Sequence, residues 1–180
     1  LEDVKVIALV RNGETDAFSE IVEHYQNPIG RYLYQMTGDY ELAKDLMQDT
    51  FIKAYQNILK TDADLTFKAW LYKIATNTAL QYHRRRKRIS FIPLLDDSTD
   101  LYGSMTDNSG DHFEEKLAIA EVLLKIPQER RVCMILHYVE GFKYREIASV
   151  LDISEEAVRK RVARGSKEFR KLYAKTGGDK

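Results

Sequence analysis

One cysteine, four histidines and three prolines stand among the 180 residues. A single cysteine closes no disulfide framework, and with so few histidines no cysteine-based zinc site can be built. Cys133 sits in the apolar run VCMIL, which reads as a buried thiol. No apolar stretch reaches the roughly 18 residues that a membrane-crossing helix needs. No basic-then-apolar leader opens the chain, so a cytoplasmic location is expected. Net charge is zero, which points to no polyanionic partner by itself. The rarity of proline suits an all-helical chain, since Pro28, Pro93 and Pro127 each fall where a helix is expected to start or break.

Charge is present in blocks. Residues 1–82 carry twelve acids and eight bases, and residues 84–88 are all basic. Residues 93–115 carry seven acids and no Lys or Arg, while 155–175 carry eight bases and three acids. Such segregation implies several distinct surfaces.

The apolar spacing predicts two small helical domains. Short helices are expected over 3–11 and about 15–25. Asn27-Pro28 reads as the cap and first turn of a third helix that ends near Gly38. Asp39 then caps a long helix to about residue 60, with Ala43, Leu46, Met47, Phe51, Ala54, Tyr55 and Ile58 recurring at helical spacing. After the loop KTDAD, Thr66 caps another long helix with Phe67, Trp70, Leu71, Ile74, Thr78 and Tyr82 as its inner stripe. From Pro93 to Gly110 turn formers and acids show no sustained period, which reads as an extended linker. Helices resume at 112–125, 128–139, 144–151 and 155–173. The expected division is 1–90, a linker at 91–111, and 112–175.

The C-terminal stretch GFKYREIASVLDISEEAVRKRVARGSKEFRKL reads as a helix-turn-helix. Ile147, Ala148 and Leu151 would line the inner face of its first helix, with small Ala148 at the crossing point. Ile153 plugs the turn, and Ser154 caps the second helix. That helix would present Glu155, Glu156, Arg159, Lys160, Ala163, Arg164, Lys167 and Lys171 outward. The N-terminal residues of such a helix meet base edges in the major groove. Glu155 or Glu156 can accept from a cytosine amine, Arg159 can donate to guanine, and Lys160, Arg164 and Lys167 suit phosphates.

In the N-terminal half, Asp45, Gln48, Asp49 and Lys53 occupy the non-core side of a long helix. Asp45 and Asp49 project together, one turn apart. With no histidine, third carboxylate or glycine loop at suitable spacing, a protein-docking face fits better than a catalytic or metal site. The next helix carries Trp70, Tyr72 and Lys73, then Asn77 and Gln81, and ends in the basic run Arg84 to Arg88. Aromatic side chains beside basic ones suit unstacked bases and a phosphate backbone. Trp70 reads mainly as core, and Tyr72 and Lys73 as the exposed pair.

Three ordered motifs carry a resemblance. The first is Asp45, Gln48, Asp49, Phe51 and Tyr55; the second is Phe67, Trp70, Leu71, Ile74, Ala75 and Asn77. The third is Leu123, Ile126, Pro127 and Arg131, followed by Glu146-Ile147-Ala148 and Val158-Arg159 with Arg161. Over about residues 12–174 the chain resembles the bacterial RNA polymerase sigma factors of the extracytoplasmic function (ECF) type, within the sigma-70 family. The resemblance implies an all-α fold with a region 2 bundle and a region 4 helix-turn-helix, joined by the acidic strap.

It also implies roles. Asp45, Gln48, Asp49 and Lys53 would grip the clamp helices of the largest subunit of core RNA polymerase, whose flap is a further partner. Residues 59–66, with Lys60 and Asp62, would shape a pocket for a flipped base of the −10 element. Tyr72, Lys73 and Asn77 would lie along the displaced strand, and Arg84, Arg85 and Arg88 on the duplex backbone upstream. Glu155, Glu156, Arg159, Lys160, Arg164 and Lys167 would read the −35 element. The strap would thread toward the active cleft and RNA exit channel. The protein would do no chemistry itself, and would need no cofactor or metal. An anti-sigma protein, membrane-linked or soluble, is a family expectation. Two positions depart from the family pattern. Gln81 stands where an acid is frequent, and Lys143 replaces a small hydroxyl cap, at a cost of about 1 kcal/mol if nothing substitutes.

The leading function is therefore promoter-specific initiation with core polymerase. The alternatives are a conventional helix-turn-helix regulator acting without polymerase, a polymerase-binding protein that does not start transcription, and a helical enzyme.

Overall fold

The computed structural model describes residues 3–58, 65–89 and 113–175, and side chains of 87–89 and 113–114 are left aside. The expected linker at 91–111 lies outside the described residues. Every described element is helical: α1 (Asp3–Arg11), a 3₁₀ turn (Thr15–Ala17), α2 (Phe18–Thr37), α3 (Tyr40–Asn57), α4 (Phe67–Ile89), α5 (Phe113–Lys125), α6 (Gln128–Met134), α7 (Tyr144–Leu151) and α8 (Glu155–Lys175). The chain divides into two compact units, Leu1–Leu33 with Glu41–Pro93, and Tyr34–Tyr40 with Leu94–Lys180. No described helix is long and apolar enough to cross a membrane.

The first correction falls on Pro28. It breaks nothing, but sits inside α2, and Asn27 is an exposed mid-helix residue. An internal proline costs about 3 kcal/mol through a lost backbone bond and a ring clash. Against this, Ile21, Tyr25, Ile29, Leu33 and Met36 recur on one face and are all buried. Each such side chain contributes roughly 1.5–3 kcal/mol on burial, so keeping the stripe continuous outweighs the local fault. The helix ends at Thr37, where Gly38 turns the chain with a φ of 74°.

Side-chain contacts tie the first four helices together. Tyr25 donates to Asp3 at 2.8 Å, and burial, with Asp3 second, pushes its phenol well up, so it stays protonated and remains a donor. The Arg11 guanidinium reaches the Ile58 carbonyl at 3.3 Å, closing α1 on the end of α3. Tyr32 and Tyr72 pack with ring centroids 5.1 Å apart, and the Tyr32 hydroxyl meets Thr76 Oγ1 at 2.6 Å. Thr66 caps α4 as expected, its hydroxyl accepting from the Ala69 amide at 3.3 Å.

In the second unit α8 packs on α6 and α7. It comes close to α6 at Gly165, where an added Cβ would run into Met134 Sδ and lie 3.0 Å from Cγ and 3.3 Å from Arg130 Cβ. Ion pairs flank this crossing: Arg130 to Glu168 at 2.7 Å and Arg161 to Glu129 at 3.2 Å. The inner face expected for α7 is corrected. Ala148 and Leu151 are only half-buried, and the inner face of α7 is Ile147 and Val150. A second difference is in α6, whose last turn loosens into a π-helix over Ile135–Val139 instead of continuing as α-helix. Ile135 and Leu136 stay inward while Tyr138 and Val139 face out.

Cys133 is fully buried beside this crossing. Burial pushes its thiol up to about 11, partly opposed by the neighbouring Arg161 guanidinium. Arg131 is buried too, and donates to the Leu124 carbonyl at 3.3 Å. That places a cation at the C-terminus of α5, where the helix dipole favours it.

Candidate polymerase and nucleic-acid interfaces

The helix-turn-helix is built from local chemistry. α7 begins after Lys143, whose amide donates to the Glu146 carboxylate at 2.8 Å. This is half of a capping box. A lysine ammonium has no lone pair to return the bond, so the other half is missing. Glu146 thus compensates in part for the absent hydroxyl. The turn itself needs a left-handed residue, and Asp152 supplies it with a φ of 52°. Aspartate tolerates this region better than most residues. The Ile153 amide then donates back to the Ala148 carbonyl at 3.1 Å. Ser154 caps α8, its hydroxyl accepting from the Ala157 amide at 3.2 Å.

α8 then leaves the turn with one face packed and one bare. Val158 and Val162 are buried, while Glu155, Glu156, Arg159, Lys160, Ala163, Arg164, Lys167 and Lys171 are all exposed. The acids and bases of the first two turns are paired: Arg159 with Glu155 at 3.3 Å, and Lys160 with Glu156 at 2.6 Å. Arg161, by contrast, is drawn sideways to Glu129 on α6.

Beside this face an apolar groove of about 630 Å³ opens among α5, α6 and α8. Ile119, Leu123, Met134, Tyr138, Val139 and Phe169 line it. Tyr138 and Val139 are 62% and 54% exposed. The sequence reading passed over this groove; the signal was the run ILHYV, with more apolar residues than one inner face can bury.

On α3, Asp45, Gln48 and Asp49 are exposed and share one side. Ile52 continues it at helical spacing and is 55% exposed, an apolar residue that sequence reasoning did not single out. Lys53 departs from this group. It turns toward α4 and donates to Thr78 Oγ1 at 3.0 Å, half-buried.

α4 corrects one expectation. Tyr72 is not an exposed stacking residue: it is fully buried against Tyr32, with Lys68 over its ring. The reason is that α4 is buried on more than one face. Phe67, Ala69, Trp70, Leu71, Tyr72, Ala75, Thr76, Thr78 and Ala79 are buried around most of its circumference. Lys73, Asn77, Gln81 and Arg84 follow one another at intervals of three and four, half-buried at Lys73 and exposed thereafter. Arg85 is exposed and lines a small groove with Asp49, Lys53, Gln81 and Tyr82. Lys60, Asp62 and the side chain of Arg88 lie outside the described residues. Among the described residues no group of three or more His, Cys, Asp or Glu side chains is placed to hold a metal ion.

Residues 21–89 match the family described as Sigma-70 region 2, and residues 116–169 match Sigma-70, region 4. The chain is 31% identical over 176 residues to the ECF RNA polymerase sigma factor SigW of Bacillus subtilis, covering 93% of this chain and 94% of that one. The chain belongs to the ECF sigma factors of the sigma-70 family. SigM of Bacillus subtilis is 32% identical to this sigma factor over 158 residues, 86% of this chain and 93% of the relative. The ECF sigma-E factor of Escherichia coli is 30% identical over 178 residues, 91% of this chain and 90% of the relative.

Among solved structures, CnrH in complex with the cytosolic domain of CnrY matches with a TM-score of 0.69 at 23% identity, over 97% of each chain. The sigma factor RpoE of Bartonella quintana, in complex with the anti-sigma factor NepR, matches at 0.68 and 22%, over 86% of this chain and 95% of that one. At these identities the likeness is one of fold. Region 2 of this sigma factor thus falls on α2–α4, and region 4 on α5–α8.

Proposed function

We propose that this sigma factor binds core RNA polymerase, directs it to promoters through the −35 and −10 elements, and promotes strand opening. The observation that carries the reading is the stripe of Asp45, Gln48, Asp49 and Ile52 on α3, a polar face with one bare apolar residue at its end. A row of exposed polar side chains that ends on a bare apolar one suits contact with another protein, which a polymerase subunit needs. It supports docking on the clamp helices of the largest subunit. The apolar groove of region 4 supports a second attachment, to the polymerase flap. Lys53 acts there by bracing α3 on α4.

Lys73, Asn77, Arg84 and Arg85 line α4 as a track for the −10 strand and the upstream backbone, with Lys60, Asp62 and Arg88 assigned to the same element. Unstacking a base costs a few kcal/mol, which pocket and stacking contacts offset. The exposed face of α8 reads the −35 duplex, with Arg159 nearest the bases and Lys160, Arg164 and Lys167 on phosphates. Residues 1–90 and 112–175 carry these two roles, with 91–111 as the strap between them. The protein works in the cytoplasm under an anti-sigma protein that covers these surfaces.

The test is a pull-down with core polymerase. Asp45→Lys with Asp49→Lys is expected to weaken core binding at least tenfold while the helical circular dichroism is unchanged. Undiminished core affinity in that variant would remove α3 as the docking face.

A further inference from the structure

The first turn of α8 carries two acids at the end that faces DNA. We infer that Glu155 and Glu156 form a specificity filter, holding Arg159 and Lys160 back from the phosphates of duplexes that carry the wrong sequence. The inference rests on reading α8 as the DNA-contacting helix.

The geometry is a pair of clips. Glu155 holds Arg159 at 3.3 Å and Glu156 holds Lys160 at 2.6 Å, each one turn along the helix. All four side chains are about half exposed or more, between 48% and 72%. Surface pairs of this kind are weak and open readily. Weakness suits a filter. On a matched site a cytosine amine can donate to a freed carboxylate, and guanine can take the Arg159 fork, so opening both clips is repaid. On an unmatched site the carboxylates find no donor and face the negative backbone. The clips then compete with the phosphates for the two cations, and binding rests more on the bases further along, Arg164 and Lys167.

Charge count along the helix agrees. From Glu155 to Val162 two acids stand with three bases, of which Arg161 is turned aside to Glu129, while Ala163 to Lys175 carries five bases and one acid. The base-reading end is therefore neutral and the backbone-holding end is positive. A helix evolved only for attraction to DNA gains nothing from neutralising its leading turn. Acids at a helix N-terminus also interact well with the dipole, which is a stability role and separable by experiment.

The magnitude follows from counterion release. Each phosphate contact contributes about 0.9 to the slope of log affinity against log salt, which at 0.1 M salt is about eightfold in affinity. Each exposed i,i+4 clip is worth only about twofold, so freeing two cations should tighten unmatched binding by about three- to fivefold and steepen the slope by less than about 1.

The experiment titrates the full chain between 50 and 300 mM salt against two fluorescent 20-base-pair duplexes, one of random sequence and one carrying a −35 element selected with the holoenzyme. It compares the wild type, Glu155→Gln with Glu156→Gln, and Arg164→Ala with Lys167→Ala, with thermal unfolding of each as the stability readout. The filter predicts tighter binding and a steeper slope for the glutamine variant on the random duplex and no comparable gain on the selected one, whatever its melting temperature does; an equal gain on both marks plain loss of negative charge and overturns the filter. Unchanged or weaker binding there, with weakened binding and a flatter slope in the alanine variant, overturns the filter and leaves α8 as the DNA-contacting helix. No loss in the alanine variant overturns both.

Discussion

Gly165→Ala tests how α8 is set on its support. Glycine in a helix interior costs about 1 kcal/mol relative to alanine, so on an open helix the change would stabilise. Here the new methyl would run into Met134 Sδ and sit 3.0 Å from its Cγ and 3.3 Å from Arg130 Cβ. Met134 is 6% exposed and belongs to the core cluster with Leu123 and Ile126, so it has little room to retreat. Overpacking of this kind costs about 1–3 kcal/mol. Subtracting the gain in helix propensity leaves a net loss of about 1 kcal/mol. For a unit of this size that lowers the midpoint by roughly 5 °C. The protein carries its own control, because its one tryptophan, Trp70, lies in the other unit. Circular dichroism should therefore show the shift while tryptophan fluorescence keeps its transition. Adding Met134→Ala should cost about 1 kcal/mol less in the Gly165→Ala background than alone, since the two sites share the contact. A stabilised Gly165→Ala variant would refute the close crossing.

Three further outcomes follow from the structure. Lys143→Ser completes the capping box with Glu146 and should stabilise region 4 by about 0.5–1 kcal/mol, read by urea denaturation; no gain would mean the half-box already meets the need. Cys133 should resist iodoacetamide in the native protein at pH 8 and react at once in denaturant. Its thiol is raised in the folded state, so the stability it contributes is complete below about pH 9 and is lost as pH rises from there through about 11. That loss is about 2–3 kcal/mol by linkage. Arg159→Ala should change the preferred −35 sequence, whereas an equal loss on every duplex would make Arg159 a phosphate contact.

Local chemistry was the part of the fold most legible from sequence. Thr66 and Ser154 cap α4 and α8 because an N-cap depends on a few adjacent residues. Pro28 misled for the opposite reason: its local meaning was overridden by burial along the whole of α2. Tyr72 misled because a one-sided stripe was assumed for a helix that is buried on more than one face. Gly165 was visible as a lone glycine inside a basic helix, yet only the position of Met134 explains it. The Glu146 cap was legible in principle, three residues after Lys143, once a carboxylate is allowed to serve without a hydroxyl partner. The exposed residues of α3 and α8 were found by periodicity alone, but the pairing of Glu155 and Glu156 with the bases beyond them gives that face a meaning that charge totals do not.

The central claim is that this sigma factor reads and opens promoters as part of polymerase. DNase I and permanganate footprinting on a promoter selected with the holoenzyme tests it directly. The account predicts −35 protection and reactive −10 thymines only when core polymerase is present. A symmetric duplex footprint from the chain alone, unchanged by core polymerase and without reactive thymines, would contradict it.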